Sequence, residues 1–390
     1  MEAERIPLAM DDETTATLVA WRRHLHAHPE LSTAERETAA FVAARLAELG
    51  IPFVTGVGGH GVVATLSRPG SDRSVALRAD MDALPIPEET NLAYASTRPG
   101  VMHACGHDGH TASLLGAARL LLHDTAWHGT IRLIFQPAEE GAGGARAMLA
   151  DGLLERFPFE RIFAFHNWPG LEAGTVMLHA GPVMAAGQRF AVTLHGKAGH
   201  AAMPHLAKDP MLAAAHLLLG LQSIVSREVN PLDAAVLTVG MIEGGNAPNQ
   251  IAETATLHGT FRGYREEVLA LVCASLRRVA NGVAAAFGMT AEIATRGIAI
   301  ATINTKTEAD RAASASAASG LTVRRDLPPS MTSEDFAWFL QEKPGAFAWI
   351  GNGPSEGGRD LHSSHYDFND AILPAAATYL ASAARAALAV

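Results

Sequence analysis

The first half of the chain alternates short apolar runs with longer segments of helical periodicity. Apolar runs bounded by glycine, proline or aspartate predict strands, and apolar positions that repeat every three to four residues predict helices. Alternating strands and helices are typical of an α/β domain with a mostly parallel sheet. The predicted strands cover residues 61–66, 74–77, 129–136 and 161–166, and the predicted helices cover two segments within 15–48, the first stopped by Pro29, and residues 111–123.

The pattern changes near residue 187. Alternating and helical segments now follow one another in the order β-α-β-β-α-β, which is the order of a ferredoxin-like module. The predicted strands cover residues 188–196, 234–243, 251–262 and 290–295, and the predicted helices cover residues 209–229 and 266–287.

The α/β pattern resumes after this module, with a strand predicted over residues 346–350 and a helix that Ser333 would cap. A chain of 390 residues is also longer than one hydrophobic core usually supports. We therefore predict a main domain of residues 1–186 and 297–390, interrupted by an inserted domain of residues 187–296.

The composition and net charge of the chain limit which binding partners and which cellular location we expect. Apolar residues make up 48% of the chain and charged residues 18%, as in ordinary globular proteins. The net charge of −10 argues against nucleic acid and against an anionic membrane as partner. The two cysteines, Cys105 and Cys273, exclude a disulfide framework, and the acidic N-terminal residues, which lack an apolar core, do not predict a secretory signal. The C-terminal apolar run contains Arg385 and predicts a closing helix rather than a membrane span. We expect a cytoplasmic protein.

The chemistry of the chain is concentrated in residues 102–110, Met-His-Ala-Cys-Gly-His-Asp-Gly-His, which contain one thiol, three imidazoles and a carboxylate. A borderline-soft divalent metal prefers this set of donors. Gly106 lies between Cys105 and His107, and its permissive backbone allows both side chains to turn toward one point. A single cysteine is usually a small buried hydrophobe and a single histidine a loop residue, but the cluster favours half of a metal site.

Further metal-type side chains follow the predicted strands of the main domain. Because the carboxyl ends of parallel strands meet at one edge of a sheet, where α/β proteins bind ligands, we expect these side chains to lie together. Adjacent carboxylates repel each other, so a pair of them is costly unless a cation is near. Solvated loop acids are the alternative interpretation of the aspartates. The side chains are those of Asp80, Asp82, Glu139, Glu140, His166 and, in a loop after the strand over 346–350, His362.

Five candidate ligands are more than one tetrahedral site holds, and this surplus indicates two divalent metal ions. Two cations ~3.5–4 Å apart need a bridging anion, for which the thiolate of Cys105 is suited. They would polarise a carbonyl oxygen and lower the pKa of bound water toward ~7, and a carboxylate beside that water could serve as general base and acid. Spacing leaves both Glu139 and Glu140 open for this role, and Asp82 is a candidate for orienting an imidazole ligand. The five ligands are Cys105, His107, Glu140, His166 and His362.

Several motifs together closely resemble those of the aminoacylase and carboxypeptidase superfamily of dinuclear metallohydrolases, and in particular its hippurate hydrolase and indole-acetyl-amino-acid hydrolase branch. The likeness extends from Trp21 to about Asp370. One departure is Asp80, which stands where the wider superfamily has its first metal-binding histidine. The motifs cover residues 78–85, 102–111, 136–141, 195–204 and 331–336.

The resemblance implies a mostly parallel α/β metallohydrolase domain with an inserted ferredoxin-like lid. It implies that the five candidate ligands bind two divalent ions, of zinc, manganese, cobalt or nickel, and that Glu139 is the general base. The implied substrate is a small N-acyl-amino acid of the hippurate, N-acetyl or aryl-acyl type, cleaved at its amide bond to a carboxylic acid and a free amino acid.

The resemblance also implies roles for the inserted domain. His200 corresponds to the histidine that donates to the developing oxyanion, whereas Asn249, Arg262 and Arg296 resemble positions that hold the substrate carboxylate. Family members pair through this domain, so a homodimer or a higher homo-oligomer is expected. Arg262 and Arg296 could instead be surface strand residues.

Two other functions fit the same motifs. A dipeptidase or carboxypeptidase of this architecture would differ in its substrate, since a dipeptidase requires a free α-amine. A metal-dependent binding protein for amino-acid conjugates, without catalysis, is the alternative of a different class. Glu139 argues against it, because a protein that only binds has no use for a general base beside the metals.

Overall fold

The computed structural model describes residues 10–389, with the exception of one side chain at position 298. The helices of this part of the chain are α1 (Asp12–Ala27), α2 (Arg36–Glu48), α3 (His107–His123), α4 (Gly144–Ala150), α5 (Leu153–Arg156), α6 (Pro210–Arg227), α7 (Glu266–Ala286), α8 (Lys306–Ala318), α9 (Ala337–Glu342) and α10 (Leu373–Leu388). Short 3₁₀ turns cover Pro204–Leu206 and Asp370–Ile372.

The strands are β1 (Phe53–Val57), β2 (Gly61–Arg68), β3 (Ser74–Asp80), β4 (Gly129–Gln136), β5 (Arg161–Pro169), β6 (Val176–Met177), β7 (Gly181–Met184), β8 (Ala186–His195), β9 (Gly199–His200), β10 (Ala235–Gly244), β11 (Gln250–Ile251), β12 (Thr254–Gly263), β13 (Thr290–Ala299), β14 (Thr302–Asn304), β15 (Val323–Arg324) and β16 (Gly345–Gly353).

The chain divides into two compact units. Unit 1 comprises Met1–Val183, Ile303–Pro328 and Asp335–Val390, and unit 2 comprises Met184–Thr302 and Pro329–Glu334. The short segment Pro329–Glu334 therefore belongs to unit 2 although it lies within the C-terminal part of the chain.

Unit 1 is built on an eight-stranded sheet in the order β1-β2-β4-β3-β5-β16-β6-β15. Its four central strands, β4, β3, β5 and β16, run parallel, so the mostly parallel α/β sheet that the sequence predicts is confirmed. Opposite residues, such as Asp80 and Gln136 or His166 and Trp349, show that the carboxyl ends of these strands reach the same edge. Helices α3 and α10 pack on the central strands and bury them, and every residue of β3 after Ser74 is buried.

Unit 2 has the element order β-α-β-β-α-β. Its antiparallel sheet has the order β10-β12-β8-β13. Phe190, Val192 and Leu194 alternate along β8 and point into a core that is shared with α6 and α7, so both helices lie on one face of the sheet.

In the part of the chain that the structure describes, two helices are long and apolar enough, by length and composition alone, to cross a membrane: Glu266–Ala286 and Asp370–Leu388. Core helices of globular proteins meet the same criterion. The second of these is 72% buried within the structure, and α7 contributes its apolar face to the core of unit 2.

One prediction about a helix start is wrong. Helix α9 begins at Ala337 with Phe336 at its N-cap, and no side chain caps it. The hydroxyl of Ser333 instead accepts a hydrogen bond from Arg262 within unit 2.

Candidate functional site

The turn between Cys105 and His107 requires glycine. Gly106 has φ +91° and directly precedes the first residue of α3. A Cβ atom at this position would lie 2.3 Å from Oδ1 of Asn167 and 2.6 Å from the hydroxyl of Tyr366. The left-handed turn and the lack of a side chain together allow the thiol and the imidazole on either side of Gly106 to approach one point.

Cys105, His107 and His166 form a buried group, which we call the inner group. Their potential ligand atoms lie within 4.8 Å of one another. The Sγ atom of Cys105 is 3.3 Å from Nε2 of His166. The other ring nitrogen of His166, Nδ1, pairs with the backbone oxygen of Asn167 at 2.7 Å, which orients Nε2 toward the thiol.

Cys105, Glu140 and His362 form a second group, which we call the outer group and whose ligand atoms also lie within 4.8 Å of one another. Nε2 of His362 is 3.2 Å from Oε1 of Glu140, and His362 is half exposed whereas Cys105 is buried. The thiol belongs to both groups. All five side chains that the sequence marks as candidate ligands are therefore brought together around one sulfur atom.

Glu139 lies beside the cluster. One oxygen each of Glu139 and Glu140 and a ring nitrogen of His107 lie within 4.8 Å of one another. The backbone N–H of Asp335 donates to Oε1 of Glu139 at 3.2 Å, which orients its carboxylate. The preceding Ala138 has φ +57°, so the chain turns sharply at the end of β4 and presents both glutamates at the sheet edge.

Asp82 connects three parts of the site. Its Oδ1 is 3.2 Å from Nδ1 of His107, while its Oδ2 accepts from the hydroxyl of Ser32 at 2.6 Å and from the backbone N–H of Glu140 at 3.0 Å. A carboxylate on Nδ1 directs Nε2 toward the cluster.

A buried polar network under the cluster was not predicted. Nδ1 of His110 pairs with Oδ1 of Asp80 at 2.6 Å, and Nε2 of His110 pairs with Oδ1 of Asn167 at 2.7 Å. The amide of Asn167 donates to the hydroxyl of Tyr366 at 2.5 Å. Two signals were present in the sequence: His110 lies three residues after His107, on the same helix face, and Asp80 occupies the place of the superfamily's histidine.

Asp335 is a second unpredicted residue of the site. Its carboxylate accepts from the side-chain amide of Gln136 at 2.8 Å, from Arg78 at 3.1 Å and from the backbone N–H of Ala145 at 3.0 Å. It therefore joins β3, β4 and α4 while its own backbone holds Glu139.

The electrostatics of the cluster favour a cation. Burial and the nearby carboxylates of Glu140, Glu139 and Asp80 raise the pKa of the Cys105 thiol well above its usual value. Burial lowers the pKa of His107, but neighbouring carboxylates outweigh burial and raise it to about 10. Both shifts express an excess of negative charge in a buried place.

Two buried atoms of the cluster have neighbours at ion-pair distance but make no hydrogen bond within the described part of the chain. Among residues 10–389, Nε2 of His107 and Oε1 of Glu140 are buried without a hydrogen bond. Unsatisfied buried donors and acceptors are rare and call for an explanation such as an ion. A sulfur atom, imidazole nitrogens and carboxylate oxygens directed at adjacent positions suit two divalent cations.

The four candidate residues of unit 2 fall into two places. His200 and Asn249 lie at the short β9–β11 pairing, where the backbone N–H of Ala201 donates to the oxygen of Asn249. Nδ1 of His200 accepts from the backbone N–H of Ala202 at 3.1 Å. Arg262 lies elsewhere, on β12.

Arg262 is held within unit 2. Its Nη1 donates to the backbone oxygen of Met331 and to the hydroxyl of Ser333, both at 2.9 Å. Arg296 is exposed on β13 opposite Arg189 of β8. Arg189 and Arg296, but not Arg262, line an open cavity of about 420 Å³ on the sheet of unit 2.

The sequence family follows from a match along most of the chain. A family model described as peptidase family M20/M25/M40 matches residues 76–386. The chain belongs to this family. The family membership expected from the motifs is thereby confirmed.

Relatives of this M20 protein match nearly its whole length. N-acetyl-L-cysteine deacetylase of Bacillus subtilis (strain 168) is 41% identical over 369 residues, covering 94% of this chain and 87% of the relative. Hippurate hydrolase of Campylobacter jejuni is 40% identical over 367 residues, covering 93% of this chain and 94% of the relative.

A solved structure extends the likeness of the M20 chain to its fold. The crystal structure of the Bacillus subtilis YXEP protein, described as a dinuclear metal binding peptidase from the M20 family, is 36% identical to this chain. It superposes with a TM-score of 0.85 and covers 97% of this chain and 99% of its own.

Proposed function

We propose that the protein is a metal-dependent amidohydrolase that cleaves N-acyl-amino acids to a carboxylic acid and a free amino acid. The observation that carries this proposal is the convergence of five ligand-type side chains on the thiol of Cys105, with Glu139 beside them. The names of the relatives support the substrate class, since a deacetylase of N-acetyl-L-cysteine and a hippurate hydrolase both release an amino acid from an acyl group.

The inner and outer groups are our candidates for the two metal positions, with Cys105 as the shared ligand. When bound, two divalent ions supply Lewis acidity for the amide carbonyl and lower the pKa of water. The ion is zinc, manganese, cobalt or nickel in this proposal. Asp82 would contribute by holding the ring of His107 through Nδ1 at 3.2 Å, which leaves Nε2 available as a ligand.

Glu139 is proposed as general base and acid. It takes a proton from the attacking water as the oxygen bonds to the carbonyl carbon, and it delivers that proton to the amide nitrogen as the carbon–nitrogen bond breaks. The backbone N–H of Asp335 fixes the orientation of its carboxylate throughout.

Unit 2 is proposed to act as the lid over the substrate. Because Nδ1 of His200 accepts a backbone N–H, the ring carries its proton on Nε2, which suits donation to the developing oxyanion. Asn249, Arg262 and Arg296 remain our candidates for binding the substrate carboxylate, and a guanidinium can do so bidentately.

The decisive experiment measures hydrolysis of hippurate and of a panel of N-acetyl-amino acids. Activity should disappear after exhaustive chelation and return with manganese, cobalt, nickel or zinc. Full activity in a protein proven to be metal-free would refute the proposal. Preference for dipeptides with a free α-amine over their N-acyl analogues would identify a dipeptidase instead.

A single variant separates catalysis from binding. Glu139→Ala should retain both metal ions and lose at least 10²–10⁴-fold in turnover, the range for a general base. Unchanged turnover would assign the base to another residue. A wild-type protein that binds N-acyl-amino acids without cleaving any of them would be a binding protein.

We also propose a homodimer formed through unit 2, in a cytoplasmic protein. Strand β10 lies at the sheet edge, and Met241 and Ile242 on it are 47% and 42% exposed. Leu212 and Leu219 on α6 are 52% and 72% exposed. Unpaired edges and exposed apolar side chains favour association. Light scattering should give twice the chain mass, and Leu219→Lys should shift the protein toward the monomer.

A further inference from the structure

His362 differs from the other four candidate ligands. It lies in the loop between β16 and α10, and its side chain is 51% exposed, whereas that of Glu140 is 14% exposed and those of the inner group are buried. Its backbone has φ +63°, a left-handed conformation that costs free energy in any residue other than glycine. Surrounding contacts must therefore hold this residue in place.

Within residues 10–389, the backbone of His362 is tethered by one hydrogen bond, from its N–H to the oxygen of Ala104 at 2.8 Å, while its ring contacts Glu140. The residues that follow it are held more firmly. Ser364 and Asp367 each contact residues 88–94, a segment that we call the latch and that lies between β3 and α3.

The latch makes three hydrogen bonds to the loop of His362. The backbone N–H of Glu89 donates to the oxygen of Ser364 at 2.8 Å, and the hydroxyl of Ser364 donates to Oε2 of Glu89 at 2.7 Å. The hydroxyl of Tyr94 donates to Oδ2 of Asp367 at 2.9 Å. The loop is thus fixed two and five residues beyond His362.

The latch is itself anchored to α1. Glu88 pairs with Nε2 of the buried His26 at 3.3 Å and accepts the backbone N–H of Ser96 at 2.6 Å. The ring of Tyr94 lies against the guanidinium groups of Arg22 and Arg23, at 5.0 and 4.5 Å from its centroid. Because these contacts fix the latch to α1, the latch can hold the loop of His362 in its strained backbone conformation.

We propose that Glu89 and Tyr94 are positioning residues for His362, and that they set the affinity of the outer metal position. The proposal rests on the metal centre of the proposed function. The inner position does not depend on the latch, because Cys105, His107 and His166 are buried at the start of α3 and at the end of β5. Removing hydrogen bonds of the latch should weaken the binding of the ion at the outer position and leave binding at the inner position unchanged.

The test is a calorimetric titration of the metal-free full-length protein with Mn²⁺. Tyr94→Phe keeps the ring and removes the hydroxyl, and Glu89→Ala removes the acceptor of Ser364. Each should weaken the second Mn²⁺ by about tenfold, which corresponds to ~1.4 kcal/mol, and change the first by less than about twofold. Ser364→Ala removes the same hydrogen bond from its other side and should repeat the effect of Glu89→Ala.

Two variants separate the hydrogen bonds from other effects. Glu89→Gln retains an oxygen acceptor and should bind both ions like the wild type, which distinguishes hydrogen bonding from loss of charge. Thr97→Val removes a hydrogen bond from the same stretch of chain to Ala27 on α1, and it should leave both dissociation constants unchanged. Electron paramagnetic resonance provides a second measurement, since loss of the outer ion replaces a spin-coupled Mn²⁺ pair with a mononuclear spectrum.

The outcomes are distinguishable. If Tyr94→Phe and Glu89→Ala weaken the binding of both ions equally, or leave both dissociation constants unchanged, the positioning role of the latch is refuted. The proposed metal centre is not affected by that result. His362→Ala should lose the second ion and keep the first. If it binds two ions with wild-type constants, the ligand assignment of the proposed function fails, and the latch fails with it.

Discussion

Arg22 and its neighbour Arg23 offer a controlled test of how burial sets the strength of an ion pair. Arg22 is fully buried and lies 3.0 Å from Asp108, 2.5 Å from Asp367 and 3.4 Å from Asp370. Arg23 pairs with the same Asp370 at 2.8 Å, but its side chain is 47% exposed.

The two arginines should differ greatly when each is replaced by methionine. Arg22→Met removes one of the two cationic partners of the buried Asp108, the other being His26, and should lower the free energy of unfolding by about 3–5 kcal/mol. Arg23→Met removes a solvent-screened pair and should cost about 0–1 kcal/mol. Both arginines contact the ring of Tyr94, so loss of that contact is common to the two variants.

The measurement is reversible urea unfolding of the metal-free protein, followed by circular dichroism. Metal-free protein is needed because ions that bind only the folded state would add their own stabilisation. Losses of similar size in the two variants would refute the reasoning, since the pairs would then be insensitive to their difference in burial.

Three further predictions concern the same unit. Gly106→Ala places a methyl group 2.3 Å from Oδ1 of Asn167 at a positive φ, and it should abolish binding of both ions in a calorimetric titration. Asp82→Asn should weaken metal binding about 10–100-fold, measured in the same way, because it weakens the hydrogen bond that orients His107. Burial lowers the pKa of His26, but hydrogen bonds to two carboxylates outweigh burial and raise it to about 9. The folded state therefore holds a proton that the unfolded state loses above pH ~6.5, so the free energy of unfolding should fall by on the order of 3 kcal/mol as the pH rises through 9.

Each of these predictions has a result that would contradict it. Normal ion binding by Gly106→Ala would mean that the turn tolerates a side chain. A metal affinity of Asp82→Asn equal to that of the wild type would remove the orienting role of this carboxylate. For the pH dependence, His26→Gln is the control, since it should flatten the urea-unfolding profile between pH 6.5 and 9; an unchanged profile would place the proton elsewhere.

Local patterns predicted the elements of unit 1 well, because a buried strand or helix leaves a periodicity in its own residues. The strand over 129–136 was predicted with the bounds that β4 has. Candidate ligands could also be proposed, since few contexts other than a metal site combine a thiol with imidazoles, and the structure brings these side chains together. Glycine at position 106 pointed to the turn on which two of these ligands depend.

The supporting contacts could not be predicted in the same way. Asp335 reaches Gln136 across 199 positions of sequence, and nothing in either neighbourhood specifies the other. The same holds for Tyr94 and Asp367, which lie 273 positions apart. Such pairs are determined by the order of strands in the sheet. Ser333 illustrates the opposite error, because a serine before an apolar run resembles a helix cap while its hydroxyl contacts Arg262.

Unit 1 is made of chain segments that unit 2 separates in the sequence, and this has a consequence for biosynthesis. Strand β16 occupies the sheet between β5 and β6, yet it emerges from the ribosome long after both of them. Until then the nascent chain exposes an open edge at β5, and Arg22 has only one of its three acidic partners. Such a chain is aggregation-prone, and the N-terminal half expressed alone should be insoluble. The last quarter of the polypeptide therefore determines when the protein as a whole can become soluble and active.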